Sequence, residues 1–442
     1  MTRTTAPQAK ATRGPTSLAE EARLTGEFAD WHNLFYDVSW LAGPLNVAAL
    51  RDAWWRVCMR HDVMRRTYVS ADEACTYAEA LSEPEFHTAD SDGEAIETMH
   101  GILGIPFDLS GPGFSRIVVV QRDENRHLLG IAVDHIISDQ ISWSRLCTDF
   151  LGLYERALAG DLGDTTEQGT YRAFATRLRH DFPDAWGRKR REFWRSYTAE
   201  FGTFPPLFSA GTRHTGELCP KVIRHELPAD ARSRVQAFSL RAGATPFAVA
   251  ASGLLTGMRE VTGDPVTGLT TNHHGRITPS TSRTIGLFTQ TVPLHLGGRH
   301  RTAVEVVRDV FHQSLDVSEY MVPLRVAGNS WAEKLMAPDR PAGVFVRLDE
   351  SASPSSSALA LAGTVGQHVP MTFPGEKRTP ETVAVTWYLY ETNPHISVSY
   401  NENFFPAASV EQLVRSAGRF AMAGDGGDGG DADRYRPGDT HS

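Results

Sequence analysis

Hydrophobic residues recur along the chain with two different periods, and each period predicts a different element. Apolar side chains three or four positions apart predict helices over residues 45–64 and 143–159. Two nearly continuous apolar runs predict strands over residues 114–121 and 127–133, with the polar turn RDENR between them. The second strand therefore leads through a short polar loop into the second helix.

The same mixture of patterns continues through the rest of the chain. Helices are predicted at 183–199, 245–262, 301–318 and 409–423, and strands at 222–227, 266–272, 290–296, 342–348, 383–389 and 395–400. Because helix and strand signals are mixed in both halves, the fold class predicted is α/β (α+β), with two lobes.

The boundaries of the lobes follow from the polar stretches. The polar segment at 160–170 separates an N-terminal lobe, 18–170, from a C-terminal lobe, 171–424. Residues 1–17 are polar and rich in proline and threonine, and residues 425–442 carry almost no apolar side chains. Such segments cannot bury a core, so we expect a disordered arm and a disordered tail.

Composition narrows the class of protein. The chain has 442 residues, of which 41% are hydrophobic and 22% charged, as in ordinary globular proteins. A net charge of −9 disfavours a nucleic-acid partner, and no apolar run is long enough to cross a membrane. The four cysteines are scattered, which offers no metal pair and fits a reducing compartment. We therefore expect a cytoplasmic monomer without a metal.

The residues with the clearest chemistry lie in the loop between the second strand and its helix. His135 and Asp139 stand four positions apart there, within the sequence DHIISDQ. The unperturbed pKa of histidine lies near neutrality, so His135 is a natural general base, and Asp139 can fix the loop or the ring. By itself, the HxxxD spacing favours a plainer interpretation, in which Asp139 caps the helix and His135 is a buried structural residue.

The loop resembles the HHxxxDG motif of the condensation-domain superfamily of nonribosomal peptide synthesis. That superfamily includes CoA-dependent acyltransferases related to chloramphenicol acetyltransferase. The resemblance extends over residues 20–420. Further segments resemble the family's motifs in the same order: GPLNV at 43–47, RHDVMR at 60–65, PFDL at 106–109, GATPF at 243–247, IGLFTQTVPL at 285–294 and YNENFF at 400–405.

The resemblance implies a structure and a reaction. It implies two chloramphenicol-acetyltransferase-like lobes in a V-shaped pseudo-dimer, with the loop in a central tunnel. An acyl or peptidyl carrier protein would present the donor on its phosphopantetheine, so no cofactor is bound, and a small-molecule amine or, less favourably, an alcohol would accept the acyl group. His135 would orient or deprotonate the acceptor. Asp139 would be structural and paired with an arginine, for which Arg65 is the expected partner.

Two positions of the motif differ from the family. Asp134 stands in place of the first histidine, and Gln140 in place of the final glycine. A carboxylate close to His135 is expected to raise the pKa of the imidazole and to hold a cationic acceptor. Because glycine permits a close backbone approach that a side chain blocks, Gln140 is expected to narrow the tunnel.

Three functions remain open. The first is a free-standing condensation enzyme of specialised metabolism, such as antibiotic biosynthesis, because the resemblance covers nearly the whole chain. The second is a catalytically silent condensation-like module that recruits another enzyme to a carrier-bound peptide. The third is an acyltransferase that uses a soluble acyl-CoA. Turnover that depends on a carrier protein distinguishes the first from the other two.

Overall fold

A computed structural model describes residues 11–25, 33–161, 170–181, 185–201, 220–276, 279–298, 302–322, 344–350, 359–373, 383–403 and 405–423. The chain divides into two compact units. Unit 1 consists of Met1–Arg188, His274–Gln290 and Ser356–Arg378, and unit 2 of Lys189–His273, Thr291–Ser355 and Thr379–Ser442. The mixed α/β architecture predicted from the sequence is confirmed. The units, however, do not follow a single cut at residue 170, because unit 1 takes two later segments.

The elements alternate along the chain as the apolar patterns predict. The helices are α1 Leu18–Thr25, α2 Val47–Arg60, α3 Asp92–Leu103, α4 Gln140–Leu158, α5 Tyr171–Asp181, α6 Ala185–Phe201, α7 Ala231–Ala242, α8 Pro246–Thr262, α9 Ala303–Glu319 and α10 Ala407–Ala423. The strands up to β7 are β1 Ala11–Pro15, β2 Leu34–Ala42, β3 Arg66–Tyr68, β4 Glu73–Tyr77, β5 Glu85–Thr88, β6 Ser115–Asp123 and β7 Arg126–Asp134. The later strands are β8 Pro220–Glu226, β9 Thr267–His273, β10 Gln290–Leu296, β11 Val344–Asp349, β12 Val365–His368, β13 Val383–Tyr388 and β14 His395–Asn401.

Unit 1 is built on a five-stranded sheet in the order β12-β2-β7-β6-β5. Alternate residues of β6 and β7 face opposite sides of this sheet, because successive side chains of a β-strand point in opposite directions. One side packs against buried residues of α2 and α4, including Trp54 and Phe150. The other side packs against α3 through Met99 and Leu103. The central strand β7 is therefore covered on both faces, and its C-terminal end is held rigidly.

The expectation of a disordered arm over residues 1–17 is wrong for residues 11–17. Strand β1 pairs antiparallel with β4, with Ala11 opposite Tyr77. Thr16 and Ser17 are fully buried, and the Thr16 hydroxyl donates to the carbonyl of Ala71 at 2.6 Å. Backbone pairing and buried hydroxyl bonds supply the order here, so a segment without large apolar residues still folds. Residues 1–10, most of 160–170 and the expected tail 425–442 lie outside the described residues.

Unit 2 contains a six-stranded sheet in the order β10-β9-β11-β13-β14-β8. Strands β9, β11 and β13 run parallel, and β13, β14 and β8 run antiparallel. Helix α8 is buried along most of its length, and Gly253 and Gly257 bring its backbone against the backbone of α10. Within the part of the chain that the structure describes, no helix is long and apolar enough to cross a membrane.

Candidate active site

His135 lies where the central strand of unit 1 ends. Strand β7 finishes at Asp134, a single helical turn spans His135–Ile137, and α4 begins at Gln140. The backbone N–H of His135 donates to the carbonyl of Asn33 at 2.9 Å. The imidazole and the Phe35 ring pack edge to face, with the ring centroids 4.9 Å apart. The end of a strand that is covered on both faces thus holds His135, which as a whole residue is only partly buried.

The surroundings of His135 favour its neutral form. Burial lowers the pKa of the imidazole below its ordinary value, because a charged ring loses hydration there. Hydrogen bonding to the local backbone and the negative charge of Asp139 act in the opposite direction without reversing the shift. A neutral imidazole has a free lone pair at neutral pH, which is what a general base needs.

Asp139 is a structural residue whose two carboxylate oxygens are occupied. Oδ1 accepts the backbone N–H of Ser142 at 2.8 Å and so caps α4. Oδ2 accepts the N–H groups of Phe288 and Thr289 at 3.0 and 3.2 Å. The side chain is 1% exposed. Burial would raise the pKa of this carboxyl, but hydrogen bonds and the charge of Arg276 hold it below its ordinary value.

The arginine that pairs with Asp139 is Arg276. Its Nη1 and Nη2 donate to Oδ2 and Oδ1 of Asp139 at 2.8 and 3.0 Å, in a two-pronged arrangement. The expectation that Arg65 makes this pair is therefore wrong. Arg65 instead donates to the carbonyls of Cys58 at 3.0 Å, Met59 at 3.3 Å and Tyr77, because the short turn that holds it points its guanidinium at these groups.

Further hydrogen bonds and packing contacts support the Asp139–Arg276 pair. The hydroxyl of Ser142 accepts from Arg276 Nη2 at 2.6 Å and donates to the carbonyl of Gly286 at 2.8 Å. The buried hydroxyl of Tyr171 donates to the carbonyl of Leu287 at 2.6 Å. A side chain at Gly286 would meet the Tyr171 ring at 2.0 Å. Helix α5, which begins at Tyr171, thereby sets the position of the segment that donates to Asp139.

Asp134 is buried and faces Arg23 of helix α1. The carboxylate Oδ2 lies 3.5 Å from Arg23 Nη2, and the two side chains are 2% and 8% exposed. Oδ1 accepts the backbone N–H of Ile136 at 2.8 Å. Burial raises the pKa of Asp134 to about 6, and the charge of Arg23 acts against that rise. Both oxygens thus already contact groups of the protein, and the expectation that Asp134 holds a cationic acceptor stays a prediction.

The other expectation for Asp134, that its carboxylate raises the pKa of His135, is wrong. The charge that raises the pKa of His135 comes from Asp139, and the overall shift is downward. The reason is that the Asp134 carboxylate is directed to Arg23 and to the Ile136 amide.

The comparisons with known proteins identify the family. A family model described as Condensation domain matches residues 36–330. This chain belongs to the condensation-domain family. Curated relatives are the AMB antimetabolite synthetase AmbE of Pseudomonas aeruginosa, 30% identical over 198 residues, and bacitracin synthase 3 of Bacillus licheniformis, 25% identical over 281 residues. These matches cover 43% and 59% of this chain but only 9% and 4% of the relatives, which are far longer proteins.

Solved structures of other proteins share the fold. VibH, described as an NRPS (nonribosomal peptide synthetase) condensation enzyme, superposes with a TM-score of 0.70 at 14% identity, covering 92% of this chain and 95% of VibH. The X-domain complex with OxyB from teicoplanin biosynthesis gives 0.73 at 16% identity, over 95% of this chain and 94% of the other. SgcC5 from Streptomyces globisporus gives 0.66 at 17% identity, over 92% and 99%.

Gln140 opens helix α4 with its side chain exposed. Among the described residues other than glycine, a positive φ is found at Asn393, so the backbone at 140 needs no glycine. The family's last motif position therefore accepts a glutamine here without strain, at the solvent-facing start of the helix. The expected effect of Gln140 on a tunnel stays a prediction.

Other histidines have structural surroundings. His61 is 3% exposed, and its Nε2 lies 2.8 Å from Asp149 Oδ2. The Nδ1 of His274 accepts the backbone N–H of Arg276 at 3.0 Å. Across the described ranges, no group of three or more His, Cys, Asp and Glu side chains could hold a metal ion.

Sequence reasoning missed three contributors to the site. Arg23 and Phe35 lie upstream of the motif, in α1 and β2, and Tyr171 opens α5. Nothing in their local sequence marks them, because each reaches the site through tertiary packing.

Proposed function

We propose that this chain is a condensation enzyme that transfers an acyl, aminoacyl or peptidyl group from a carrier protein's phosphopantetheine thioester to an amine. The observation that carries the proposal is the state of His135, a partly buried residue whose imidazole pKa is lowered by burial. It lies on a loop fixed by the Asp139–Arg276 pair. A neutral base on a rigid loop suits amide formation at neutral pH.

In this proposal, His135 accepts the proton that the amine loses as its nitrogen attacks the thioester carbonyl. A C–N bond forms, the tetrahedral intermediate collapses with cleavage of the C–S bond, and the proton passes to the departing thiolate. Proton transfer of this kind contributes roughly 10²–10⁴-fold, and orientation of the two substrates supplies much of the rest. Asp139 takes no proton in this scheme, because its oxygens already accept five N–H groups.

The donor and the acceptor are the substrates to be tested. The test mixes the full chain with a carrier protein charged with an aminoacyl or acyl group, and with a panel of basic, neutral and acidic amines. Mass spectrometry then measures the amide and the discharged carrier. Carrier-dependent amide formation that is lost in His135→Ala supports the proposal.

The same assay separates the two alternatives. An acyl-CoA that replaces the charged carrier with equal efficiency indicates a CoA-dependent acyltransferase. Binding of the charged carrier without turnover on any amine indicates a catalytically silent recruitment module. The observation that favours this last candidate is the replacement of the motif's first histidine and final glycine by Asp134 and Gln140.

A further inference from the structure

Helix α1 is fixed in unit 1 by a fully buried ion pair. Glu20 Oε1 accepts from Arg66 Nε at 2.8 Å, and both side chains are 0% exposed. The Tyr68 hydroxyl donates to Glu20 Oε1 at 2.8 Å, and the Ser17 N–H donates to Oε2 at 2.6 Å. A buried charge with this many partners holds its helix in one place.

One turn beyond Glu20, the same helix reaches the end of strand β7. Arg23 follows Glu20 by three positions, so the two side chains leave neighbouring parts of one helix face. The Arg23–Asp134 distance is 3.5 Å, and both side chains are more than nine-tenths buried. Asp134 in turn accepts the Ile136 N–H at 2.8 Å, inside the turn that carries His135.

A second bond joins the same turn to the residue just before β2. The N–H of His135 donates to the carbonyl of Asn33 at 2.9 Å. The turn is therefore held from one side by helix α1, through a pair of charges, and from the other by the start of β2, through the backbone. An imidazole at position 134, as in the family motif, could not form an ion pair with a guanidinium.

We propose that Arg23 and Asp134 form a latch that joins helix α1 to the turn His135–Ile137, called here the histidine turn. The latch holds His135 in position to act on the acceptor. Arg23 is thus a positioning residue, and the replacement of the motif's first histidine by Asp134 serves the latch. The inference rests on the proposed function, in which His135 is the base.

The latch also contributes to the charge balance around His135. Burial is the largest cause that lowers the pKa of His135, and the positive charge of Arg23 acts in the same direction. Asp139 acts against it. Without Arg23, the pKa of His135 is expected to rise, because a nearby cation no longer opposes a second positive charge.

The test compares Arg23→Gln, Arg23→Lys and Asp134→Asn in the full-length chain. Histidine side chains are labelled with ¹³C, and the His135 resonance is assigned as the one absent from His135→Gln. We expect Arg23→Gln to raise the pKa of His135 and to accelerate hydrogen exchange at the His135 and Ile136 amides. Arg23→Lys should titrate close to the wild type, because it keeps the charge, and Asp134→Asn should not raise the pKa, because Arg23 remains.

Activity gives a second measurement. In the carrier-dependent assay, Arg23→Gln should lose kcat at both pH 6 and pH 8.5, because the turn is no longer held. The loss should be about three- to tenfold larger at pH 6, since more of its His135 is protonated at the lower pH. If the wild type transfers no acyl group, the proposed function fails, but the titration and the exchange measurements still decide the latch.

The latch is overturned if His135 titrates at the same pH in Arg23→Gln as in the wild type and the two amides exchange at unchanged rates. Breaking a buried pair can prevent folding. In that case the double variant Arg23→Gln, Asp134→Asn, which leaves no unpaired charge, takes the place of Arg23→Gln. The same rise of the His135 pKa is expected from it, and the absence of that rise overturns the latch equally.

Discussion

Replacing His135 with alanine tests the chemistry of a single side chain. We expect turnover in the carrier-dependent assay to fall by about two to four orders of magnitude, because the acceptor amine loses its base. The melting temperature should change little, because His135 is not fully buried and the turn keeps the backbone bond from His135 to Asn33.

The control for this variant is His180→Ala. The His180 side chain is 85% exposed at the end of α5. It should retain both turnover and melting temperature. Full activity in His135→Ala would remove His135 from the mechanism, and equal losses in both variants would point to a general effect of the substitutions.

A double-mutant cycle distinguishes the two arginines that could pair with Asp139. Asp139→Asn and Arg276→Gln should each lower the free energy of unfolding by about 3–5 kcal/mol, because each leaves a buried charge without its partner. Their coupling energy should be about 1–3 kcal/mol, as expected for residues in one network. The measurement is urea unfolding of the wild type, both single variants and the double variant.

The matched control cycle uses Arg65→Gln with Asp139→Asn. Arg65 donates to the carbonyls of Cys58, Met59 and Tyr77. Arg65→Gln should therefore lower the free energy of unfolding by the same amount whether or not Asp139 is replaced. The two effects should add to within about 0.5 kcal/mol. Strong coupling to Arg65 and none to Arg276 would contradict the pairing seen in the structure.

At the scale of elements, the close approach of α5 to the segment around Gly286 predicts a sharp difference between two glycines. Gly286→Ala would place a methyl group 2.0 Å from the Tyr171 ring and push the Phe288 amide away from Asp139. We expect it to destabilise the protein by about 1–3 kcal/mol, as overpacking does, and to lower activity. Thermal and urea unfolding measure the first effect, and the carrier assay the second.

The matched control for this variant is Gly152→Ala. Gly152 lies in α4, where an added Cβ would meet nothing within 4 Å. Alanine is a better helix former than glycine by about 1 kcal/mol, so this variant should be neutral or more stable. Equal stability of the two variants would show that the segment around Gly286 can shift away from Tyr171 without lowering the free energy of unfolding.

How far the sequence predicts these elements depends on the range of the contacts. Strands β6 and β7 and helix α4 were predicted within a few residues, because apolar periodicity is local. The helix begins at Gln140, three residues before the predicted start, since Asp139 caps it. The structural role of Asp139 was also expected. Its partner was not, because Arg276 lies 137 residues away and only the tertiary fold brings it near.

At the scale of the whole molecule, one buried histidine, His295, predicts how the free energy of unfolding depends on pH. His295 of unit 2 is 2% exposed, its Nδ1 lies 2.8 Å from the Tyr197 hydroxyl, and the Phe201 ring stacks on it at 4.9 Å. Burial lowers the pKa of His295 to about 3. The unfolded chain therefore binds this proton more readily between pH 6.5 and 3, so acid favours unfolding in that window.

We expect the free energy of unfolding to fall by up to about 1.4 kcal/mol per pH unit from this group as the pH drops below 6.5. His295→Phe keeps an aromatic ring against Phe201 but cannot bind a proton, so its stability should fall less steeply. Urea unfolding at pH 7, 6 and 5 measures both slopes. Parallel curves for the two proteins would contradict a buried neutral His295.

Unit 1 is assembled from separate segments of the chain, and this affects how it folds during translation. Asp139 can form its ion pair only after Arg276, 137 residues later, has been synthesised. Strand β2 can pair with β12 only after residues 365–368 have been synthesised. At about 5–20 residues per second, translation takes roughly 7–27 s to cover the first of these gaps. During that time the carboxylate of Asp139 emerges from the ribosome without its guanidinium. The nascent histidine turn can therefore reach its final form only when most of the polypeptide has been synthesised.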